Sequence, residues 1–220
     1  MKQLILNRKN RTGCPHYWEF GVNTCHAALW LRDDLPAQMK RMHEELGFRY
    51  VRFHGILNDD MDVMRADGTF HFDRVIQVYE KILKAGMKPF VELSSMPSVL
   101  ASNDRKLCHY EFRSSPPNSW KTFRELIAAF TRALSSHFGE EEVKNWYFEV
   151  WNEPDGVWCW KHGPDGGEYG EFVKATAAAI REGNPAAKVV AGAVCMRDLG
   201  YLNDMLATGA GKAMDYLSYH

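Results

Sequence analysis

The sequence has no excess of charge of either sign and no long apolar run. Its 220 residues carry 27 Lys and Arg against 28 Asp and Glu, which gives a net charge of -1. Nucleic-acid-binding domains carry a basic patch or stripe, so this balance argues against a nucleic-acid partner. The N-terminal segment has only three consecutive apolar residues (4–6), too few for a signal peptide, and no later run approaches a membrane span. We therefore expect no membrane partner and a cytoplasmic location.

Cysteine is scarce, odd in number and never arranged as C-x-x-C, so the sequence predicts free thiols in a reducing compartment. Histidine lies within three positions of four of the five cysteines, but no two of these pairs repeat a zinc-ligand spacing. We therefore expect no metal, and nothing in the sequence calls for a cofactor. The four pairs are Cys14 and His16, Cys25 and His26, Cys108 and His109, and Cys159 and His162.

Short apolar runs alternate with segments of helical periodicity along the chain. This alternation predicts a parallel sheet, either open and doubly wound or closed into a barrel. The predicted strands cover residues 18–23, 49–54, 88–93, 145–152, 188–193 and 215–219. The apolar stripes of the predicted helices cover residues 35–46, closed by Gly47, 72–83, stopped by Gly86, and 123–134, and further helices are predicted over 168–181 and 199–206.

Two features favour the barrel. No predicted strand is followed by the G-x-G-x-x-G loop that open nucleotide-binding sheets often carry. Polar residues gather instead after the ends of strands, which is where a (β/α)8 enzyme builds its site. These residues are His26, His54 with Asn58 to Asp60, Glu92 with Ser94 and Ser95, Asn152 with Glu153, and His220.

A closed barrel of this kind has eight units and typically about 250 residues, whereas six strands are predicted here. We therefore expect residues 1–220 to form a single domain, an α/β (β/α)8 TIM barrel truncated to about its first six β/α units. An open barrel exposes two sheet edges, which predicts self-association into a homo-oligomer. Long structureless loops over residues 94–119 and 154–167 are expected on the catalytic rim.

The stretch FEVWNEPDG, residues 148–156, places a carboxylate beside an amide where a strand must stop. The two-residue period of a strand puts Glu149, Trp151 and Glu153 on one face. Pro154 ends the hydrogen-bond ladder of the strand, which leaves Glu153 at the mouth of the predicted site, where a ligand can reach it. A carboxyl group shielded from water keeps its proton to a higher pH and can give it to a leaving oxygen, as glycoside hydrolysis requires. Asn152 can bond a sugar hydroxyl beside the reacting carbon. A turn with a helix N-cap accounts for Asn-Glu-Pro equally well.

Three segments together resemble glycoside hydrolase family 39, the family of β-xylosidases and α-L-iduronidases within clan A of barrel glycosidases. They are VRFHGILNDDM at residues 51–61, MKPFVELSSMP at 87–97 and WYFEVWNEPDG at 146–156. The resemblance runs nearly end to end. It implies a retaining enzyme whose nucleophile, a glutamate of the seventh strand about 5 to 5.5 Å from the acid/base, is not among these 220 residues.

The resemblance also implies roles for five residues. Glu153 falls on the general acid/base, and Asn152 on the amide that contacts the sugar 2-hydroxyl. Arg52 matches the arginine that such barrels keep beside the nucleophile. His54 matches a histidine that contacts substrate hydroxyls, and His220 falls near the sixth-strand histidine of the clan.

Each role has a structural alternative. Arg52 can instead neutralise Glu149, because buried charges are normally paired. His54 and His220 can be core histidines, and Glu92 can cap or pair rather than face the cavity. Trp158 and Trp160 either stack on sugar faces or pack within a long loop.

The leading functional hypothesis is a retaining β-xylosidase that releases xylose from the non-reducing end of xylo-oligosaccharides. Within the same class, α-L-iduronidase, arabinosidase and other clan A specificities stay open. From other classes, a non-catalytic sugar-binding barrel is the second hypothesis and a metal-dependent hydrolase barrel the third.

Overall fold

The computed structural model describes residues 13–107, 110–160, 165–195 and 199–220. Cys108, His109 and His162 therefore lie outside the described residues. The other four cysteines, Cys14, Cys25, Cys159 and Cys195, are free thiols, as the sequence predicts.

The central feature of the fold is a sheet of six parallel strands, the number and direction that the sequence predicts. Each strand lies beside the strand that precedes it in this sheet along the chain. Helices follow the strands in chain order, and the fold class is α/β as expected. The strands are β1 (Gly21–His26), β2 (Tyr50–His54), β3 (Lys88–Glu92), β6 (Tyr147–Glu149), β7 (Lys188–Val194) and β8 (Tyr216–Tyr219).

Six α-helices connect the strands in the described part of the chain. α1 ends before Gly47, whose φ of 76° lies in the left-handed region that glycine adopts most readily. α3 begins after Ser119, whose side chain accepts a hydrogen bond from the amide of Thr122. The helices are α1 (Asp34–Leu46), α2 (Asp73–Lys84), α3 (Trp120–Phe138), α4 (Glu140–Val143), α5 (Gly166–Gly183) and α6 (Leu199–Ala207).

The predicted position of the first strand is wrong. The prediction over residues 18–23 rests on the strand-forming aromatics Trp18 and Phe20, yet Tyr17–Phe20 is a 3-10 helix and these two side chains are exposed. Pairing with β2 begins only at Gly21, which lies opposite Tyr50. Tertiary pairing therefore overrides the local strand preference.

The fourth predicted strand, residues 145–152, is shorter in the structure than in the prediction. β6 covers only Tyr147–Glu149, although the amide of Val150 still bonds the carbonyl of Val190. The two-residue period consequently stops before Trp151. The Trp151 ring contacts both Phe172 of α5 and Phe112 of the loop after β3.

The loop after β3 contains a small hairpin, so the prediction of a structureless segment over residues 94–119 is wrong. β4 (Lys106–Leu107) pairs antiparallel with β5 (Phe112–Arg113). Phe112 is buried, which fixes the hairpin against the rest of the molecule. Strands of two residues leave no periodic signal in a sequence.

One cluster of buried apolar side chains fills the space between the sheet and its helices. Trp146, Phe123, Phe130 and Phe172 are among its largest members, and all are at most 1% exposed. Within the described residues, no helix is both long and apolar enough to cross a membrane.

Candidate active site

A cavity of about 330 Å³ opens at the carboxyl ends of the strands, on the rim where the sequence places the site. It contains His54, Asn152 and Glu153 from the predicted set. The hairpin and the loop after β6 supply the rest of its wall, so both long loops lie on this rim as expected. Those residues are Leu107, Tyr110, Phe112, Trp158 and Cys159.

Arg52 on β2 connects the strand interior to the candidate site. Its Nε and Nη2 groups lie 2.8 and 2.7 Å from Oε2 of Glu149. Nη2 also donates a hydrogen bond to Oδ1 of Asn152 at 2.7 Å. The structural alternative for Arg52 is therefore observed, and the same guanidinium also orients the amide of Asn152.

His54 is paired with a fully buried carboxylate. Its Nδ1 is hydrogen-bonded to Oε2 of Glu92, and the other oxygen of Glu92 accepts a hydrogen bond from the hydroxyl of Ser94. Nη2 of Arg52 lies 3.7 Å from the same carboxylate. Glu92 is thus paired with His54 and Arg52 and does not line the cavity. Its bond to His54 holds the half-buried imidazole at the cavity wall.

Burial and charge act in opposite directions on the pKa values of this pair. Burial lowers the pKa of His54, but the charge and hydrogen bond of Glu92 outweigh it, so the pKa is raised from its ordinary value. Burial likewise raises the pKa of Glu92, but His54 and Arg52 hold it below its ordinary value. The pairing with Glu92 therefore favours the imidazolium form of His54, in which both ring nitrogens donate hydrogen bonds.

Glu149 behaves differently from Glu92. Burial raises the pKa of this carboxyl, and the opposing charge of Arg52 does not cancel the effect. The pKa of Arg52 is raised because Glu92 and Glu149 together outweigh the effect of its burial. The Arg52 guanidinium is therefore the counter-ion of two buried carboxyl groups, those of Glu92 and Glu149.

Glu153 follows β6 in an uncommon backbone conformation, with a φ of 48°. Such a conformation costs on the order of 1–3 kcal/mol and is concentrated at functional sites. The loop is held nearby by Asp155, which is 3% exposed and accepts hydrogen bonds from the amide of Cys195 at 3.0 and 3.1 Å. The fold thus holds the Glu153 backbone in place from the end of β7.

Among the described residues, His220 and Cys159 each contact one oxygen of the Glu153 carboxyl. Nδ1 of His220 lies 3.0 Å from Oε1, and the thiol of Cys159 donates to Oε2 at 3.8 Å. The side chain of Glu153 is 30% exposed. A carboxyl group at a cavity mouth with one open side can exchange a proton with a bound molecule.

The two tryptophans of the loop after β6 have different surroundings. Trp158 lines the cavity and is 45% exposed. Trp160 is fully buried and packs against Trp151 and Phe172. Only Trp158 is placed to stack on a ligand, so the sugar-stacking alternative for Trp160 is wrong.

His26, the last residue of β1, packs against Tyr110 of the cavity wall. Its Nε2 lies 2.7 Å from Oδ2 of Asp60, and its ring stacks on Tyr110 at 4.5 Å. Asn58 donates hydrogen bonds to Oδ1 of Asp60 and to the carbonyl of Tyr110. A Cβ atom at Gly55 would lie 2.7 Å from the His26 ring, so this position needs glycine.

Sequence reasoning missed the hairpin residues Leu107, Tyr110 and Phe112, and it considered Cys159 only as a metal ligand. Cys159 lies six residues after Glu153, on a loop already assigned to the rim, and this closeness was the one available signal. The hairpin residues also lie on a loop assigned to the rim, but nothing in the sequence singles them out within it. In the described ranges, no three His, Cys, Asp or Glu side chains are grouped to hold a metal ion.

Comparison with known proteins identifies the family. The family model described as glycosyl hydrolases family 39 matches residues 1–220. The chain belongs to glycosyl hydrolase family 39. This confirms the resemblance stated from the sequence, and the barrel expectation agrees with the solved structures of the family.

Two curated relatives in family 39 are named beta-xylosidase. The protein from Caldicellulosiruptor saccharolyticus is 38% identical over 233 residues, which cover 99% of this chain and 46% of the relative. The protein from Geobacillus stearothermophilus is 32% identical over 229 residues, covering 100% of this chain and 45% of the relative. The chain thus spans somewhat less than half the length of the curated relatives it matches.

A solved family 39 structure has the same fold. The β-xylosidase from Caulobacter crescentus superposes with a TM-score of 0.83 at 31% sequence identity. The match covers 92% of this chain and 46% of that one.

Proposed function

We propose that the protein is a retaining β-xylosidase that releases xylose from the non-reducing end of xylo-oligosaccharides, with Glu153 as general acid/base. The observation that carries this proposal is the placement of Glu153 beside Asn152 in a cavity at the carboxyl ends of the strands. The names of the two curated relatives support the choice of sugar.

In this mechanism Glu153 first protonates the glycosidic oxygen and then, as a carboxylate, takes a proton from the water that releases the sugar. Asn152, oriented by Arg52, bonds the hydroxyl next to the reacting carbon. Glu92 and Glu149 are engaged by His54 and Arg52. The family resemblance implies that the nucleophile is a glutamate of a seventh strand, which is not among these 220 residues.

The electrostatics of the cavity fit a neutral sugar. Among the described residues that line it, His54 is the basic side chain, and the charge of Glu92 balances it. An acidic sugar such as iduronate needs an uncompensated cation. Tyr110, Phe112 and Trp158 offer apolar faces of the kind that ligand pockets present.

The test is Glu153→Gln in the full-length protein, assayed on xylobiose and on an activated dinitrophenyl xyloside. Loss of the acid is expected to lower xylobiose turnover about 100-fold or more. Bond cleavage in the activated substrate, whose leaving group needs no proton, is expected to be much less affected. Glu44→Gln, an exposed change on α1, serves as the matched control and keeps wild-type rates. Unchanged xylobiose hydrolysis by the Glu153→Gln variant contradicts the proposal.

The sugar is tested with a panel of nitrophenyl glycosides. The β-xyloside is expected to give the highest kcat/KM, above the α-L-arabinoside, the β-glucoside and the α-L-iduronide. A preference for one of the others would reassign the specificity within the family. Xylose binding by calorimetry without any turnover would instead support the sugar-binding barrel.

A further inference from the structure

The carboxyl of Glu153 is held at both oxygens by residues from different parts of the chain. His220, which follows β8, lies against Oε1, and Cys159 lies against Oε2. Sulfur hydrogen bonds are long because sulfur is large, and the 3.8 Å contact is within the range of a thiol donor. A carboxyl group that is hydrogen-bonded at both oxygens rotates less about the bond that joins it to the side chain. Its oxygen lone pairs therefore keep one direction.

Cys159 occupies a rigid position. Cys159 is only 6% exposed. Its amide donates to the carbonyl of Gly156 at 3.0 Å, and its own carbonyl accepts a hydrogen bond from Nε1 of the buried Trp151 at 2.7 Å. Hydrogen bonds at both the amide and the carbonyl of Cys159 therefore fix its backbone. A fixed backbone holds the thiol at a constant position relative to Glu153.

The thiol also keeps its proton. Burial and then the charge of Glu153 raise the pKa of Cys159 far above its ordinary value. The S–H group is therefore present over the whole pH range in which a glycosidase works, and the cysteine is a poor nucleophile. A thiol is a weak donor, but its hydrogen bond to a carboxylate is strengthened by the charge of the acceptor.

We propose that Cys159 is a positioning residue for Glu153, whose S–H group donates to Oε2 and, with His220 at Oε1, holds the carboxyl toward the cavity. This inference rests on the proposed role of Glu153 as acid/base. The thiol bonds the carboxylate form more strongly than the neutral acid. The hydrogen bond is therefore strongest when Glu153 acts as the base of the second step.

The test is the pH dependence of kcat/KM for xylobiose in the full-length protein and in Cys159→Ala and Cys159→Ser. Removal of the donor is expected to move the alkaline limb upward by about half to one pH unit, the value of one net hydrogen bond. Serine supplies an O–H donor and is expected to return the limb toward its wild-type position. Other ionisable groups around Glu153 and Cys159 stay the same in all three proteins. They are His220, Arg52, His54, Tyr110, Glu92, Asp155 and Cys195.

A merely structural role gives a different result. If Cys159 only fills space, alanine lowers the rate equally at every pH and the limb does not move. An unmoved limb in Cys159→Ala, or a limb that serine fails to return, overturns the proposal.

A second measurement does not depend on turnover. The S–H stretching band of Cys159 is isolated as the Raman difference between the wild-type protein and Cys159→Ala. It is expected below the frequency of an exposed thiol and is expected to move upward in Glu153→Gln, because the charged acceptor is gone. An identical frequency in the two backgrounds contradicts the contact.

The two measurements separate the failure of this inference from the failure of the proposed function. A band that responds to Glu153→Gln in a protein that cleaves no xyloside supports the contact and contradicts the xylosidase assignment. An active xylosidase with an unmoved limb and an unmoved band contradicts only the role of Cys159.

Discussion

Arg52 on β2 and Glu149 on β6 form a buried ion pair, with Nη2 2.7 Å from Oε2, although 97 residues separate them in the chain. The same guanidinium bonds Asn152 and lies 3.7 Å from Glu92. It therefore connects three strand ends, and its loss affects both the stability of the fold and the geometry of the site.

Arg52→Met is expected to lower the free energy of unfolding by about 3 kcal/mol, because it leaves the buried Glu149 without its cation. Urea denaturation at pH 7 measures the change. The double variant with Glu149→Gln is expected to be more stable than Arg52→Met alone, since the uncompensated charge is then removed. Equal stability of Arg52→Met and the wild-type protein would show that the pair contributes nothing.

The pairing of His54 and Glu92 predicts a pH-dependent stability. The pKa of His54 is raised, so its contribution is fully present below the ordinary imidazole value of 6.5 and is lost as the pH rises through the raised value. The pKa of Glu92 is lowered, so its contribution is present above the ordinary value of 4.5 and is lost as the pH falls through the lowered value.

We therefore expect the stability difference between the wild-type protein and His54→Gln to be largest between these limits. The difference shrinks toward alkaline pH as His54 loses its proton. Urea denaturation of both proteins from pH 5 to pH 9 measures it (about half-unit steps suffice for a one-proton transition). A difference that is constant over this range would mean that His54 has the same pKa in the folded and unfolded states, and it would contradict the effect of Glu92 on His54.

The two tryptophans of the loop after β6 predict opposite effects. Trp158→Ala is expected to raise KM for xylobiose about tenfold and to leave stability nearly unchanged, because Trp158 faces the cavity and is 45% exposed. Trp160→Ala is expected to cost about 3–5 kcal/mol of stability, because it empties a fully buried site. Steady-state kinetics and urea denaturation on both variants separate the cases, and a destabilising Trp158→Ala with unchanged KM would reverse the assignment.

Much of the fold was predictable because a parallel α/β sheet leaves clear periodic signals. The predicted strand at residues 88–93 corresponds to β3, and the helix predicted to end before Gly86 corresponds to α2. The first strand was misplaced because Trp18 and Phe20 have strand propensity but no strand to pair with. Propensity is local, whereas pairing depends on where β2 lies.

The sequence predicted the site residues that lie at or directly after the end of a strand. It did not predict those that lie further along the connecting loops. Asn152, Glu153 and His54 line one cavity, as their positions after strands suggest. Tyr110 stacks on His26 of a distant strand, and Cys159 bonds Glu153 six residues earlier in the same loop. Neither contact has a sequence period. The burial of Trp160 beside the exposed Trp158 likewise depends on how the loop packs against α5.

The most direct test of the central claim is chemical rescue of Glu153→Ala in the full-length protein by azide. With an activated aryl xyloside, the variant is expected to accumulate the xylosyl-enzyme, because no base remains to activate water. Azide needs no base, so it is expected to restore turnover and to yield xylosyl azide with the configuration of the substrate. Absence of rescue, or a product of inverted configuration, would contradict the role of Glu153 as acid/base of a retaining glycosidase.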